Sequence, residues 1–147
     1  MKRILTLAVC MIGLSVATSA QFKFGGGLQF FEDLGIQGRA HNVFSEDIAG
    51  QGTFNYYFSS GFSSWSIDAD VHYHGLDLGE VESFALAPFA GLNIFRVSAF
   101  GVSASDVGLN LGIIGTLPIS DGLELYIEPK IVIGGGSGFA ISGGVYF

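Results

Sequence analysis

Apolar and polar side chains alternate along this sequence with a period of two. From Trp65 to His74 the odd positions hold Trp, Ile, Ala, Val and Tyr, whereas the even positions hold Ser, Asp and His. From Leu123 to Ile133 the odd positions are again all apolar, and the even positions are mostly Glu, Tyr and Lys. Because successive side chains of a β-strand point to opposite faces, this pattern predicts strands with one apolar and one polar face.

The same pattern predicts eight strands in the whole chain. Each is about ten residues long, the length that a tilted strand needs to cross a bilayer. Glycine supplies 23 of the 147 residues, and so many glycines exclude a helical bundle because each costs about 1 kcal/mol in a helix interior. The predicted strands cover residues 21–31, 34–44, 48–58, 65–74, 83–95, 107–117, 123–133 and 138–147.

The first 20 residues are predicted to be a cleaved signal peptide. Lys2 and Arg3 precede an apolar stretch over residues 4–16, and small residues lead up to Ala20, where cleavage requires them. The apolar stretch is too short for a membrane-spanning helix. We therefore expect the protein to be exported.

The remaining residues, 21–147, are expected to form one domain. Cys10 is the only cysteine of the chain, so this domain cannot contain a disulfide. Without Lys2 and Arg3, 4 of the 6 basic side chains remain beside 13 acidic ones, a formal net charge of −9. This charge, without a basic cluster, argues against nucleic acid as a partner.

Aromatic residues lie near both ends of the predicted strands. Outer-membrane barrels carry two such girdles, one at each interface of the bilayer. Strands in lipid must also close into a barrel, because an open edge would leave backbone groups unpaired. The predicted girdle residues are Phe22, Phe24, Phe44, Tyr73 and Phe84 on one side and Phe30, Phe58, Trp65, Phe95 and Phe139 on the other.

The alternation alone does not say which face of the barrel points outward. A soluble ligand-binding barrel would present Lys and Glu to water, but the polar face here is largely Gly, Ser, Ala, Asn, Gln and Thr. Small residues suit the crowded lumen of eight strands. The last strand also resembles the C-terminal signal by which outer-membrane barrels are recognised for insertion, with Phe139, Ile141, Val145 and Phe147 on one face. We favour the membrane barrel, with the exported soluble barrel as an alternative.

The sequence resembles the small eight-stranded outer-membrane barrels of Gram-negative bacteria, the OmpA/OmpX-like group. The segments that carry the resemblance are 22–28 (FKFGGGL), 54–58 (FNYYF), 90–95 (AGLNIF) and 144–147 (GVYF). The resemblance implies a closed, antiparallel, up-and-down transmembrane β-barrel in the outer membrane, with both chain ends in the periplasm. It implies no single activity.

Two features depart from that group. Its members have outer loops much longer than their periplasmic turns, whereas the predicted outer connections here are short except over residues 96–106. Little protein would then project from the surface, which argues against an adhesin. Pro88 and Pro129 fall inside predicted strands and each lacks a backbone donor. We expect a bulge or a strand boundary at both positions.

Most charged residues of the strands are predicted to point into the lumen. Unpaired charges there would be very costly, so we expect Arg39 and Lys130 to pair with Asp68, Asp70 and Glu128. Such a cluster would plug the barrel, and a narrow path for ions or small solutes is the alternative. The predicted lumenal polar and ionic cluster consists of Lys23, Arg39, Asp68, Asp70, Glu124, Glu128 and Lys130.

Two patterns bear on metal binding and catalysis. His72 and His74 lie on one face of a strand beside Asp70 and could share a Zn²⁺ ion. Polar residues are also common at a strand end, and we expect neither a metal nor another cofactor. A lipid-modifying enzyme would need Ser, His and an acid near the outer leaflet, but only serines, at 59, 60, 63 and 64, are predicted there.

The sequence therefore predicts a monomeric outer-membrane barrel with a structural or envelope role and no enzymatic activity. An aqueous channel of the general porin kind needs about 16 strands. The expected partners are membrane lipid, the barrel-insertion machinery during biogenesis and an unidentified envelope protein. A conducting barrel, an exported soluble barrel and an outer-leaflet lipid-modifying enzyme are the alternative functions.

Overall fold

The structure, a computed structural model, describes residues 21–76, 78, 80–81, 84–134 and 136–147. The predicted signal peptide lies outside the described residues. No helix of the described part is long and apolar enough to span a membrane. The strands are β1 (Gln21–Phe31), β2 (Asp33–Val43), β3 (Ile48–Tyr57), β4 (Ser63–Tyr73), β5 (Glu80–Val81), β6 (Phe84–Ala99), β7 (Val102–Ser120), β8 (Leu123–Gly134) and β9 (Gly138–Tyr146).

Eight of these strands form a closed antiparallel barrel. The order β4-β3-β2-β1-β9-β8-β7-β6 joins each strand to a neighbour, and the pairing of β4 with β6 closes the ring. The two-residue strand β5 pairs only with β6 and lies outside the ring. The predicted fold, an all-β eight-stranded barrel of up-and-down topology, is confirmed.

The bounds of six barrel strands agree with the prediction to within two residues, but β6 and β7 are longer than predicted. The predicted connection over residues 96–106 is wrong, because β6 and β7 continue to pair through it as far as Ala99 and Val102. Phe100 and Gly101 form the turn, with φ of 51° and 81°. This segment contains no Pro and only one Gly, so nothing in it prevents pairing.

The β6–β7 hairpin extends beyond its neighbour β8, whereas its other neighbour, β4, follows it almost to its turn. β4 stops pairing with β6 at Ser98, and β8 stops pairing with β7 at Gly108. Residues 102–107 of β7 therefore pair only with β6 among the described residues. On the other edge of the hairpin, β4 pairs with β6 to within one residue of the end of β6. This pairing does not contradict the expectation that little protein projects from this side.

The prolines do not produce the expected bulges. Pro88 and Pro129 pair in register with Ile113 and Ile141. Pro88 lies one residue beyond the end of the pairing with β4, where a missing N–H is tolerated. The register of β7 with β8 shifts instead between Pro118 and Ser120.

The turns divide between two mouths of the barrel. Gln21 and Phe147 lie at one mouth with the turns that follow β2, β4 and β7, and Phe147 exchanges backbone hydrogen bonds of 2.8 and 3.3 Å with Phe24. We call this end the histidine mouth, because all three histidines lie there. The turns that follow β1, β3, β6 and β8 lie at the other end, which we call the hairpin mouth after the β6–β7 hairpin.

The interior holds two apolar clusters with a polar layer between them. Period-two burial along β3, β4 and β8 places the polar residues of those strands inside. The cluster toward the histidine mouth is Ala87, Phe89, Ile114, Tyr126 and Tyr146. The cluster toward the hairpin mouth is Phe31, Tyr57, Val132 and Ala140, with Phe95 packed against it.

Candidate functional site

The polar layer of the lumen contains a buried ion pair between β2 and β8. Arg39 Nη1 lies 2.9 Å from Glu128 Oε2, and the two side chains are 0% and 1% exposed. The same nitrogen donates to the hydroxyl of Tyr146 at 3.2 Å, and the guanidinium lies 3.8 Å above the ring of Tyr126. Arg39 and Glu128 thus form one of the predicted pairs.

A second buried ion pair joins β8 to β4. Lys130 Nζ lies 2.7 Å from Asp68 Oδ2, and neither side chain is exposed by more than 1%. Asn55 donates to the same carboxylate oxygen at 2.9 Å, and Asn93 donates to Oδ1. Side chains from β3, β4, β6 and β8 therefore meet at Asp68, which holds these four strands together across the lumen.

Amide side chains connect the two ion pairs, and we call the whole set the ionic centre. Gln37 accepts from Tyr126 at 2.6 Å and donates to Asn55 at 2.9 Å. Gln51 donates to Glu128 at 3.1 Å. The ionic centre consists of Arg39, Glu128, Lys130, Asp68, Gln37, Gln51, Asn55, Asn93 and Tyr126.

Asp70 is buried as predicted, but the expectation that it pairs with a cation is wrong. It makes no ion pair among the described residues, and its Oδ1 accepts from Asn110 at 2.9 Å. Lys130 lies within contact of Asp68 instead, one step along the same face of β4. Asp70 Oδ2 and Asn110 Oδ1 have no partner among the described residues.

Lys23 and Glu124 pair at the histidine mouth rather than in the ionic centre. Their Nζ and Oε2 atoms are 2.9 Å apart, and the side chains are 39% and 21% exposed. The seven residues of the predicted lumenal cluster therefore lie in three places. Four belong to the ionic centre (Arg39, Asp68, Glu128 and Lys130), Lys23 and Glu124 form the pair at the mouth, and Asp70 belongs to neither.

The three histidines form a cluster at the histidine mouth. Ring centroids of His41 and His72 are 5.4 Å apart, and His74 lies 6.4 Å from each. His72 is fully buried and stacks on Phe89 at 5.1 Å. A cavity of about 310 Å³ adjoins the cluster and is also lined by Lys23, Glu46 and Glu124.

This cluster differs from the metal-ligand set considered from the sequence. That set combined His72 and His74 with Asp70, but the carboxylate of Asp70 bonds to Asn110. His41, which lies 31 positions before His72, contacts both other rings instead. As they stand, no three His, Cys, Asp or Glu side chains of the described part are arranged to hold a metal ion.

The serines considered for catalysis lie far from the histidines. Ser59 and Ser64 belong to the hairpin mouth, where Ser59 donates to Asp33. The histidines lie at the opposite mouth. The described chain therefore brings no histidine to the serines.

Large apolar side chains cover the outer wall of the barrel. Among the charged residues whose burial the structure describes, the exposed ones lie in turns and in the β6–β7 hairpin, at Glu32, Glu46, Asp47, Asp106 and Asp121. Of the predicted girdle residues, Trp65 and Phe84 are half-buried and seven are exposed: Phe22, Phe24, Phe30, Phe44, Phe58, Tyr73 and Phe139.

Phe95 is the exception among the predicted girdle residues. It packs inside the hairpin mouth, with its ring 6.1 Å from Phe31 and 5.9 Å from Tyr57. It shares the parity of the buried Asn93, so its side chain points into the lumen. The prediction that it belongs to a girdle is wrong, because a position near a strand end does not determine which side of the wall the side chain faces.

The four residues of the predicted insertion signal share the outer face of the last strand. Phe139, Ile141 and Phe147 are exposed, and Val145 is half-buried. The residues between them include Ala140, Ser142 and Tyr146, which are buried. The alternation read from the sequence is therefore present in the structure.

Solved structures of eight-stranded outer-membrane barrels are similar to this fold. The N-terminal β-barrel domain of Pseudomonas aeruginosa OprF has a TM-score of 0.67 and 13% identity, over 88% of this chain and 98% of that chain. Neisserial surface protein A gives 0.45 and 14%, over 86% and 91%. Ail, the attachment invasion locus protein of Yersinia pestis, gives 0.42 and 15%, over 86% and 95%.

No protein-family model matches the sequence, and no curated protein matches it. The likeness to the OprF domain spans nearly all of that barrel, and at 13% identity it shows the fold alone. The fold is that of a small eight-stranded outer-membrane barrel, as the resemblance of the sequence implied.

Proposed function

We propose that this protein is an integral outer-membrane β-barrel with a structural role in the envelope. The observation that carries the proposal is the inverted distribution of side chains. The wall between the mouths is apolar outside, with Leu92, Leu109 and Leu111 about half exposed, while the ion pairs lie inside. Apolar surface left in water costs roughly 25 cal/mol per Å², whereas in hydrocarbon that cost disappears.

The proposed lumen contains no open general pore. Two ion pairs cross the barrel between β2, β4 and β8, and apolar clusters fill the space on both sides of them. A path for ions or solutes along the barrel axis would require Arg39 to separate from Glu128, or Lys130 to separate from Asp68. Both pairs are buried, and separating buried charges is costly.

The proposed route to the membrane is export followed by insertion from the periplasm. Residues 1–20 are the signal peptide, and Phe139, Ile141, Val145 and Phe147 are the segment that the insertion machinery recognises. The histidine mouth then faces the periplasm and the β6–β7 hairpin faces outward. We propose that the barrel is a monomer surrounded by lipid, with its hairpin available to another envelope protein.

A pair of lysine substitutions tests the membrane location of the wall. Leu111→Lys adds a charge to the outward face of β7 within the apolar wall, and Val102→Lys adds the same charge next to the turn of the β6–β7 hairpin. We expect the first to cost about 2–4 kcal/mol in bilayers and the second about 0–1 kcal/mol, since the cost depends on depth. Equal, small effects would instead support an exported soluble barrel.

Fractionation provides the companion measurement. We expect the protein to stay with the envelope after extraction without detergent, to shift in gel mobility on heating, and to begin at residue 21 by mass spectrometry. Protein that is released into buffer would contradict the proposal. A product that retains residues 1–20 would contradict cleavage alone.

Two further experiments address the alternative functions. We expect single-channel recordings of the reconstituted barrel to give no steady conductance, and a steady conductance would establish the ion path. We expect the envelope lipids of a deletion strain to have an unchanged mass spectrum. A lipid species that disappears in that strain would support the lipid-modifying enzyme.

A further inference from the structure

All the histidines of this protein meet at one place. The sequence contains three, and their ring centroids lie 5.4 to 6.4 Å apart at the histidine mouth. His41 comes from β2, whereas His72 and His74 come from the end of β4. β3 lies between these two strands, so it is the fold, and not the spacing in sequence, that brings His41 to the other two.

Ring nitrogens of the cluster lack hydrogen-bond partners although they are buried. Neither Nδ1 nor Nε2 of His72 has a partner among the described residues, and the same is true of His41 Nδ1. His72 is 0% exposed and His41 is 8% exposed. A buried polar group without a partner costs about 1–3 kcal/mol, and a bound ion or an ordered water in the adjoining cavity would account for it.

The surroundings of the cluster favour a cation. The adjoining cavity of about 310 Å³ is lined by the three histidines and by Lys23, Glu46 and Glu124. Glu124 neutralises Lys23 at 2.9 Å. Glu46 makes no ion pair among the described residues, and its negative charge therefore remains at the cavity.

We propose that His41, His72 and His74 bind one divalent transition-metal ion of the zinc and copper class. Imidazole nitrogen is a preferred ligand of these ions, whereas magnesium and calcium prefer oxygen. With Zn–N distances of 2.0–2.1 Å, the ring centroids of a tetrahedral site lie about 5.2 Å apart. His41 and His72, at 5.4 Å, are already close to that spacing.

The ring of His74 lies 6.4 Å from each of the other two rings, whereas zinc ligation requires about 5.2 Å. A movement of about 1 Å therefore brings His74 into the site. Its backbone is fixed by a hydrogen bond of 2.7 Å from its N–H to the carbonyl of Asp47. Its side chain is exposed at the rim of the cavity and can therefore rotate. The cavity leaves the fourth position to water or to the carboxylate of Glu46.

The test is a metal titration of protein purified from envelopes without a polyhistidine tag. Residues 21–147 contain neither cysteine nor methionine, so histidine is their only side chain of the kind that zinc and copper prefer over carboxylates. After treatment with a chelator, we expect one equivalent of Zn²⁺ to bind by calorimetry. Co²⁺ should bind in competition with Zn²⁺ and develop the visible absorption of a tetrahedral imidazole complex.

Histidine variants separate this site from adventitious binding. His74→Gln and His41→Gln should each weaken binding by tenfold or more, since even the loss of an outer-shell partner weakens metal sites by roughly 10–100-fold. His74 is exposed and lies beyond the end of β4, so its replacement leaves the barrel folded, which the heat-dependent gel shift verifies. Asp106→Asn, in the β6–β7 hairpin, is the matched control and should bind as the unaltered protein does.

Three results would overturn the proposal. They are the absence of stoichiometric Zn²⁺ binding, affinity that is unchanged in both histidine variants, and equal loss of affinity in Asp106→Asn. Because the titration detects metal and not membrane insertion, its failure leaves the proposed envelope role intact. Conversely, a barrel found outside the membrane would still bind the metal.

Discussion

The ionic centre and the histidine mouth differ in how far their buried polar side chains are paired. In the ionic centre, Arg39 and Lys130 each contact a carboxylate within 2.9 Å, and Arg39 also donates to Gln37 and Gln51, although its Nε has no partner among the described residues. At the histidine mouth, His72 is equally buried, yet neither of its nitrogens has a partner among the described residues. The two regions lie in the same lumen and are made from the same strands.

The difference indicates two separate roles. A buried charge that loses its partner is strongly destabilising, so the ionic centre is built of pairs that hold the strands together across the barrel. An imidazole without hydrogen bonds costs less, and the stacking of His72 on Phe89 offsets part of that cost. The ionic centre therefore serves stability, whereas the histidine mouth keeps its nitrogens available for a ligand.

Removal of one charge from the ionic centre should have the largest effect on stability. Glu128→Ala leaves Arg39 buried without its carboxylate, which we expect to cost about 3–5 kcal/mol. Urea unfolding in detergent micelles, followed by the fluorescence of the single tryptophan, Trp65, measures the loss. Replacement of both partners, Arg39→Met with Glu128→Leu, should restore most of the stability. A loss below about 1 kcal/mol in Glu128→Ala would contradict the role assigned to the ionic centre.

The addition of a methyl group inside the barrel should cause the second largest loss of stability. A Cβ at Gly27 would collide with the carbonyl of Gly143 and the hydroxyl of Tyr126, which donates to Gln37 in the ionic centre. We expect Gly27→Ala to cost about 1–3 kcal/mol by overpacking. Gly38→Ala is the matched control, because a Cβ there points outward and meets nothing within 4 Å. Equal unfolding midpoints of the two variants would show that the backbone of β9 and the side chain of Tyr126 can both move at no cost.

The wall of the barrel was predictable from sequence because its physical cause is local. Each strand must show one face to the lumen and one outward, so period two appears directly in segments such as 65–74 and 123–133. The same parity placed Arg39, Asp68, Glu128 and Lys130 inside, and their mutual attraction predicted contacts between them. The parity of Phe95 within its strand also predicts that its side chain points inward. Its position near a strand end does not predict this.

The parts that sequence reasoning missed depend on how strands are staggered. The contact of His41 with His72 requires the register of β2, β3 and β4, which no local pattern specifies. The continuation of β6 and β7 through residues 96–106 is not predicted by the sequence, because Ser98 to Ser105 lack strong alternation and resemble a loop in composition. The partner of Asp70 depends equally on register, since Asn110 lies on a distant part of the chain.

The ion pair between Lys23 and Glu124 at the histidine mouth should contribute little to the free energy of unfolding. Lys23 and Glu124 are 39% and 21% exposed, so water screens their attraction. A double-mutant cycle with Lys23→Ala and Glu124→Ala should give a coupling energy of about 0.2–1 kcal/mol, weaker at high salt. The same cycle on Lys130 and Asp68 is the comparison, and it should give a clearly larger coupling. Similar coupling energies would remove the distinction between the two regions.

The smallest effect is expected where a buried polar group is removed from the histidine mouth. His72→Phe replaces the imidazole by an apolar ring and breaks no hydrogen bond to the described residues. Because a buried group without partners gains nothing from being polar, we expect the free energy of unfolding, measured with a chelator present, to change little. His72→Ala should cost more, since it leaves a cavity beside Phe89. If His72→Phe were as harmful as Glu128→Ala, the nitrogens of His72 would be bonded after all, and both the contrast between the regions and the availability of that ring for a metal would fail.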